Sequence, residues 1–218
     1  KDLAGLKILV TAGPTQEAVD PVRYITNHST GKMGYAIAKI ASRRGAEVTL
    51  VSGPTAEEEP AFVNVVNVCS AKEMFEAVKE RAQEQDIIIK AAAVADYRPK
   101  HIRGSKMKKT EDGSDLTLEL ERTDDILAYL GAHKKQGQFL CGFAMETEDL
   151  IANAKRKLEK KRLDMIAANS LRVEGAGFGG NTNVVTVITK EKEVSLGKMT
   201  KEETAAELLT MIAEARKV

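Results

Sequence analysis

The sequence predicts an α/β protein with a doubly wound, mostly parallel sheet and helices on both faces of that sheet. Short apolar runs of strand length alternate with longer segments of helical periodicity. The first unit reads strand, helix, strand over residues 6–11, 31–44 and 47–52, which is the order of a βαβ crossover. Gly45 follows the helix as a stop signal. A small β excursion is expected beside the main sheet.

The composition excludes several classes of protein. Lys and Arg number 33 against 32 Asp and Glu, a net charge of +1, so the overall charge favours neither a nucleic acid nor a membrane surface as partner. The most apolar stretch, residues 87–95, is interrupted by Lys90 and is too short to span a bilayer. Cys69 and Cys141 lie far apart in apolar surroundings, which is typical of reduced thiols in cytoplasm. We therefore expect a cytoplasmic protein.

The domain organisation is predicted from length and local composition. At 218 residues the chain is long enough for one large domain, which we favour over two small ones. It begins at Lys1 without a methionine, so residues 1–5 are interpreted as the remnant of a linker and residues 6–218 as one domain. Residues 100–115, called the flap below, lose the apolar periodicity and are expected to be flexible.

The segment DPVRYITNHSTGKMG, residues 20–34, is called the cradle below and lies between the first strand and the first helix. Ser29 or Thr30 is the expected N-cap of that helix, and Gly31 and Gly34 would let backbone amides approach a partner. A helix N-terminus favours phosphate or carboxylate, because its N–H groups and its dipole both attract negative charge. The added side-chain donors are Arg23, Asn27, Ser29 and Lys32. The simpler interpretation is a capped surface helix after a long loop.

The next elements bring a second loop toward the cradle. A strand is predicted over residues 61–68, and Ser70 with Glu73 forms a capping box for a helix that ends near Gln85. Residues 86–91 form a buried strand whose tail, AAAVADYRP, ends at residue 99. Because binding loops lie at the carboxyl ends of such strands, the tail is expected to open onto the same crevice as the cradle.

The flap carries Lys106, Lys108 and Lys109, a run that usually means a solvated loop but that here follows the Asp96 loop, where a triphosphate would need its charge offset. Residues 116–121 alternate in polarity as a half-exposed strand does. Thr123 is the predicted cap of a helix over residues 124–133.

The rest of the chain continues the alternation. The predicted elements are a strand at 139–144, a helix with Leu150, Ala154 and Leu158 on one face and a basic surface, a strand at 165–168 ending on Asn169, a loop at 175–180 with Phe178, a hairpin of 183–188 with 193–196, and a closing helix capped by Thr200 with Glu203.

Standard phosphate and metal motifs are missing from the sequence. There is no GxGxxG after the first strand, and TNHSTGKM lacks the first Gly and the last Ser/Thr of a P-loop. Tyr97 and Lys100 are too close, with Pro99 between them, for the Tyr/Lys pair of a short-chain reductase. Without Cys/His spacing, Mg²⁺ held by nucleotide phosphates and one carboxylate is the plausible metal, and Asp96 is its candidate ligand.

Five stretches, in this order, together resemble one family. They are DPVRYITNHSTGKMG, AAAVADYRP, KMKK, GFAMET and the KxxxKxxDMIAAN pattern over residues 157–169, and the sequence is identified by them as similar to phosphopantothenoylcysteine synthetase. The likeness covers nearly the whole chain and implies a Rossmann-like fold. In bacteria this enzyme is commonly fused to an FMN-dependent decarboxylase, so FMN is expected only in that other half, and no permanently bound cofactor is expected here.

The resemblance implies a ligase of coenzyme A biosynthesis. 4′-Phosphopantothenate attacks the α-phosphate of CTP, pyrophosphate leaves, and L-cysteine captures the acyl-cytidylate. The resemblance also implies a homodimer with the cradle near the subunit interface. Lys106 would reach the α-phosphate, Asn27 would hold the acyl-cytidylate for cysteine, and Arg23 would pair with substrate. The implied nucleotide-binding residues are Gly13, Ser29, Lys90, Ala91, Ala92, Asp96, Lys106, Asp124, Asp125, Ile126, Leu127, Phe143, Lys157 and Lys161.

One departure from the family and two alternatives stay open at this point. The family often shows Asn-Pro-Asp-Ile where this chain has TDDI at residues 123–126, so the helix there is expected to lack the Pro of its first turn. Eukaryotic relatives use ATP, and CTP is chosen from the bacterial look of the segment. The alternatives are an NAD(P)-dependent reductase on the same topology and a module that binds CTP without turnover.

Overall fold

A computed structural model gives the fold. The structure describes residues 1–108, 115–146, 148–170 and 179–216. Residues 175–178 of the predicted 175–180 loop and residues 109–114 of the flap therefore lie outside the described residues.

The described chain contains five helices and fourteen short or long strands. The helices are α1 (Lys32–Arg43), α2 (Ala71–Ala82), α3 (Ile126–His133), α4 (Leu150–Lys160) and α5 (Lys201–Ala215). The strands are β1 (Lys7–Ala12), β2 (Glu17–Ala18), β3 (Tyr24–Ile25), β4 (Glu47–Ser52), β5 (Val63–Asn67), β6 (Ile87–Lys90), β7 (Tyr97–Pro99), β8 (Leu120–Arg122), β9 (Phe139–Glu146), β10 (Met165–Ser170), β11 (Thr182–Asn183), β12 (Val185–Ile188), β13 (Glu193–Ser195) and β14 (Met199–Thr200).

One eight-stranded sheet organises the fold, in the order β13-β12-β10-β9-β6-β1-β4-β5. The strands from β10 to β5 are parallel, and β12 and β13 add an antiparallel edge. The chain winds outward from β1 through β4 to β5, then returns to β6 on the other side of β1. The topological switch point thus lies between β1 and β6, where such sheets bind ligands. The predicted fold class is confirmed.

Helices cover both faces of this sheet, because side chains along the central strands alternate between two cores. Ile8 and Val10 of β1 pack on the face that carries α1 and α5. Leu9 of the same strand packs on the face that carries α2, α3 and α4. Both faces of a central parallel strand are therefore buried, which explains its uninterrupted apolar sequence.

Two predicted β features differ from the structure. The late hairpin was expected to form part of a small excursion, but β12 pairs with β10 and so extends the main sheet. The alternating segment 116–121 forms a strand only at its end, where β8 pairs with β7 in a separate two-stranded ribbon. Alternation alone could not show that β7 is too short to pair with more of it.

The N-cap residues of α2 and α5 were predicted correctly, whereas that of α1 was not. Ser70 caps α2, and Thr200 with Glu203 forms the predicted capping box of α5. By contrast, α1 begins after Gly31, whose left-handed backbone (φ 83°) serves as N-cap without any side-chain bond, so neither Ser29 nor Thr30 caps it. A cap made by backbone conformation leaves no hydroxyl signature.

The cap of α3 was also predicted wrongly. Its N-cap is Asp125, whose carboxylate accepts the Ala128 N–H, rather than Thr123. Asp124, which stands where the family has Pro, consequently lies before the helix. The first turn of α3 therefore does not contain the position of that Pro. A Pro two residues before α3 would only restrict the approach of the chain.

The packed part of the chain starts before the predicted domain boundary. Leu3 is fully buried in the α1/α5 core, and its N–H donates to Arg44 O. The assignment of residues 1–5 to a linker stays a prediction. Cys141 is buried as expected, whereas Cys69 is exposed rather than enclosed by apolar groups; both are free thiols. Within the described segments, no helix is both long and apolar enough to cross a membrane.

Candidate functional site

The ends of β1 and β6 are joined by hydrogen bonds across the switch point. Residues 91–96, called the β6 loop below, run beside the turn that follows β1. The Ala93 N–H donates to Gly13 O at 3.0 Å, and the Thr15 N–H donates to Ala93 O at 3.2 Å. Gly13 has a left-handed backbone, and a Cβ there would lie 2.8 Å from Gly53 O. Glycine is therefore required at position 13, where the turn after β1 passes close to the residue that follows β4.

Asn27 connects the cradle to the β6 loop. Its Nδ2 donates to Ala93 O at 2.7 Å, and its Oδ1 accepts the Ser29 N–H at 2.8 Å. One side chain thus fixes the turn that leads into α1 and ties it to the loop that ends in Asp96. The two predicted halves of the site lie together.

The hydrogen-bonded contact between the turn after β1 and the β6 loop is called the seam below. Threonine hydroxyls add to this seam, and the sequence did not indicate that role. Thr11 Oγ1 accepts the Ala92 N–H at 3.1 Å, and Thr15 Oγ1 accepts the Ala95 N–H at 3.0 Å. Thr123 Oγ1 donates to Ala95 O at 2.6 Å. The hydroxyl that was predicted to cap α3 instead holds the β6 loop. Thr11 and Thr15 flank the Gly-Pro turn, which was the only signal available in the sequence.

A cluster of ammonium groups lies beside the β6 loop. Lys90 ends β6, and its Nζ donates to Ala92 O at 2.8 Å. Lys157 and Lys161 are close enough to affect its charge. Lys161 Nζ also lies 2.7 Å from Asp125 Oδ2, so the cap of α3 is tied to the end of α4. Three of the lysines named as nucleotide-binding residues thus lie near one another, and the region gathers positive charge.

The titration of this cluster follows from burial and from like charges. Burial, and then the charges of Lys157 and Lys161, lower the pKa of Lys90 from 10.5 to about 8. Burial alone would raise the pKa of Asp125, but the Lys161 ammonium and the Ala128 N–H outweigh it and hold that pKa below its ordinary value. An anion bound here would relieve repulsion among the three ammonium groups.

Asp96 is exposed at the end of the β6 loop. Among the described residues, no group of three or more His, Cys, Asp or Glu side chains is placed to hold a metal ion. A single exposed carboxylate fits Mg²⁺ that arrives with nucleotide phosphates, since Mg²⁺ keeps several waters and needs few protein ligands.

Arg23 and the base of the flap contact each other. Arg23 Nη1 lies 3.0 Å from Asp20 Oδ2 and donates to Met107 O at 3.2 Å. Met107 is buried, whereas Lys106 is exposed. The described part of the flap is therefore fastened to the cradle and is not a free loop.

The remaining predicted residues differ in what they can offer a ligand. Ile126 and Leu127 bury their side chains in the core, so they could contact a nucleotide only through their backbone. Phe143 packs against the α1/α5 core and is partly buried. Lys32 contacts the described segment that begins at residue 179, where its Nζ donates to Gly179 O and Asn181 Oδ1. Those still exposed or partly exposed are Ser29, Ala91 and Asp124.

The comparisons with known proteins identify the family. Residues 3–215 match the sequence model of the family described as the DNA/pantothenate metabolism flavoprotein C-terminal domain. The chain belongs to this family. The family resemblance that the motifs indicated is thereby confirmed.

Individual relatives agree with this assignment. The coenzyme A biosynthesis bifunctional protein CoaBC of Vibrio vulnificus (strain YJ016) is 49% identical over 212 residues, which cover 97% of this chain and 53% of that protein. The CoaBC protein of Bacillus subtilis (strain 168) is 48% identical over 217 residues, covering 99% of this chain and 53% of that protein. The chain spans about half the length of the curated relatives it matches.

A solved structure resembles the fold closely. The crystal structure of the C-terminal domain of a CoaBC protein superposes with a TM-score of 0.83 at 46% identity, and the match covers 98% of this chain and 96% of that chain. The doubly wound architecture described above is thus shared with a close family member.

Lys90→Met should stabilise this family member at neutral pH. A lysine whose pKa falls from 10.5 unfolded to about 8 folded costs about 3 kcal/mol below pH 8, and that cost fades as the pH rises toward the unfolded pKa. Urea denaturation should show a gain at pH 7 that falls by about half at pH 9.5. The exposed Lys72→Met variant is the matched control and should change stability little at either pH. An equal gain for Lys90→Met at both values would contradict the assigned cause.

Proposed function

We propose that the chain is a phosphopantothenate–cysteine ligase of coenzyme A biosynthesis, which uses CTP and releases pyrophosphate. The observation that carries the proposal is the Asn27 bond to Ala93 O, which joins the cradle to the β6 loop at the proposed crevice. Membership in the family and the names of its coenzyme A biosynthesis relatives support the pathway. The lysine cluster beside the crevice supports an anionic nucleotide as co-substrate.

The chemistry requires two steps at one site. A carboxylate resists attack by an amine and must first be activated. A carboxylate oxygen of 4′-phosphopantothenate therefore attacks the α-phosphorus of CTP, and pyrophosphate leaves with the electron pair of the broken P–O bond. The cysteine amine then attacks the acyl carbon, loses a proton, and cytidine monophosphate leaves. Fixed cations stabilise the charge that develops on the polyphosphate. Lys90, Lys157 and Lys161 line the side where that charge would lie, and Asp96 would share a Mg²⁺ with the phosphates.

A nucleotide panel tests the reaction and the choice of nucleotide together. The chain is incubated with 4′-phosphopantothenate, L-cysteine, Mg²⁺ and either CTP or ATP, and products are identified by mass. We expect phosphopantothenoylcysteine with CTP, together with pyrophosphate release that needs both CTP and phosphopantothenate. Nucleotide binding without turnover would overturn the proposal in favour of a sensing module.

Lys106→Ala should abolish most pyrophosphate release. Its ammonium is proposed to reach the α-phosphate as charge develops, and the loss of one such group costs about 100- to 1000-fold in rate. Lys108→Ala removes an equally exposed lysine two residues along the same segment, and it should retain nearly the parental rate. Equal losses in both variants would indicate a general effect of positive charge.

Asn27→Asp should act mainly on the capture of the acyl-cytidylate by cysteine. The substitution replaces the donor that faces Ala93 O by a carboxylate oxygen, so the cradle loses its tie to the β6 loop where the intermediate is proposed to lie. We expect pyrophosphate release to continue while product formation falls by at least about tenfold. Asn64→Asp, at an exposed position of β5, is the control. Product at the parental rate would contradict the role of Asn27.

A homodimer is proposed for the same chain. Exposed large apolar side chains concentrate on the β2–β3 and β7–β8 ribbons and in the segments that adjoin these strands: Val22, Tyr24, Tyr97, Ile102, Leu116, Leu118 and Leu120. A patch of this kind marks a protein interface, and a second copy is the occupant that the family resemblance implies. The cradle contributes Val22 and Tyr24, so the site would lie near the dimer contact.

Val22→Asp should weaken this dimer. Val22 is 60% exposed in the isolated chain, and burying a carboxylate in its place would be costly. Analytical ultracentrifugation should show a dimer for the parental chain and more monomer for the variant. Phe62→Asp changes an exposed apolar residue on another surface, just before β5, and should leave the dimer intact. A parental chain that sediments as a monomer would end the proposal.

The wider context is proposed from the length of the relatives. A chain about half as long as the CoaBC proteins fits the synthetase half of a bifunctional polypeptide, with the FMN-dependent decarboxylase as the other half. We also propose the cytoplasm as its location, because both cysteines are free thiols, as is usual for cytoplasmic proteins.

A further inference from the structure

Asp20 is an enclosed carboxylate at the start of the cradle. Its side chain has no exposure to solvent. Oδ1 accepts the Val22 and Arg23 N–H groups, each at 2.8 Å. Oδ2 accepts Arg23 Nη1 and the Met107 N–H, each at 3.0 Å. The Met107 N–H contributes most to holding the pKa of Asp20 below its ordinary value. The carboxylate is thus fully satisfied by four donors.

The two oxygens of Asp20 serve different purposes. Oδ1 bonds only to the backbone of the next few residues and so shapes the local turn. Oδ2 reaches Met107, which is 87 residues away in sequence and lies in the flap. Arg23 donates to the carbonyl of the same Met107, so both backbone groups of that residue are held by the cradle.

Lys106 lies directly beside this anchor. The Arg103 N–H donates at 3.1 Å to Val19 O, just before the cradle, so residues 19–23 hold the flap on both sides of Lys106. Met107 buries its side chain, whereas Lys106 remains exposed. The backbone of Lys106 is fixed while its ammonium stays free to reach a substrate.

We propose that Asp20 is a positioning residue: through its bond to the Met107 N–H it sets where Lys106 meets the nucleotide. The inference rests on the proposed ligase activity of the same site. Asp20 contacts no reacting atom and acts only through the flap. Because Asp20 and Asn27 belong to the same cradle, the bond from the Met107 N–H to Asp20 also fixes the backbone of Lys106 relative to Asn27.

Asp20→Asn separates this role from the local turn. Asparagine keeps one carbonyl oxygen for the Val22 and Arg23 N–H groups, and its amide NH₂ then faces the Met107 N–H and Arg23 Nη1, which are both donors. The variant should therefore keep the turn and lose the attachment of the flap. Asp86→Asn is the control, since Asp86 accepts the Lys7 N–H at the amino ends of β6 and β1, away from the cradle.

Pyrophosphate release measures the effect on Lys106. We expect Asp20→Asn to lower kcat by about 10- to 100-fold with a smaller change in the KM for L-cysteine, and Asp86→Asn to stay near the parental value. In the double variant with Lys106→Ala, Asp20→Asn should cost little more than Lys106→Ala alone, because it acts through that lysine. Costs that multiply would overturn the proposal, since they would mean independent damage.

Hydrogen exchange provides a readout that needs no turnover. Asp20→Asn should speed exchange of backbone amides over residues 100–108 and leave the central strands unchanged, whereas Asp86→Asn should not affect that segment. Faster exchange throughout the chain, or none over 100–108, would contradict the anchor. An inactive parental chain would overturn the ligase function and with it the role of Lys106, whereas an active chain whose two variants do not couple would overturn the role of Asp20 alone.

Discussion

The site depends on the hydrogen-bonded seam between the turn after β1 and the β6 loop. At a topological switch point the connections from two adjacent strands leave in opposite directions, so a crevice opens between them and its polar backbone must find partners. Here Ala93 supplies both an N–H and a carbonyl to the seam, and Asn27 shares that carbonyl. Two segments separated in sequence by the helices α1 and α2 and the strands β2 to β6 thus act as one surface.

Electrostatic repulsion within the lysine cluster beside that seam is unfavourable in the unliganded protein. Lys90 is partly buried next to two other ammonium groups, and the nearby carboxylates of Asp125 and Asp96 only partly offset them. Such an arrangement destabilises the unliganded fold and stabilises a polyanion by the same interactions. Asp125 links this electrostatic region to the architecture, because it caps α3 with one oxygen and meets Lys161 with the other.

The sequence predicted the features whose causes are local. The Ser70 cap of α2, the capping box at Thr200 and the order of the βαβ unit all depend on neighbouring residues, and the structure has them. The second half of the box predicted at Ser70 is wrong, because the Glu73 carboxylate accepts the Cys69 N–H instead. The sequence failed where the cause was backbone conformation or a distant partner. Gly31 caps α1 through a left-handed φ, and Thr123 leaves its expected helix to bond Ala95 O, 28 residues away. The motif resemblance indicated the candidate site, but it could not show which of those residues hold the loops.

Asp20 and Arg23 illustrate that distinction. The resemblance implied that Arg23 pairs with substrate, yet its guanidinium contacts Asp20 and Met107 O. A lysine at the tip of a loop loses considerable side-chain and backbone entropy when it must meet a phosphate at a defined position. Fixing the backbone one residue away removes much of that loss before the substrate arrives, and a carboxylate shielded from water and satisfied by four donors is a stable anchor for it. On the proposal that Lys106 meets the nucleotide, the need for an exposed, precisely placed cation explains why a charged group is buried in the cradle.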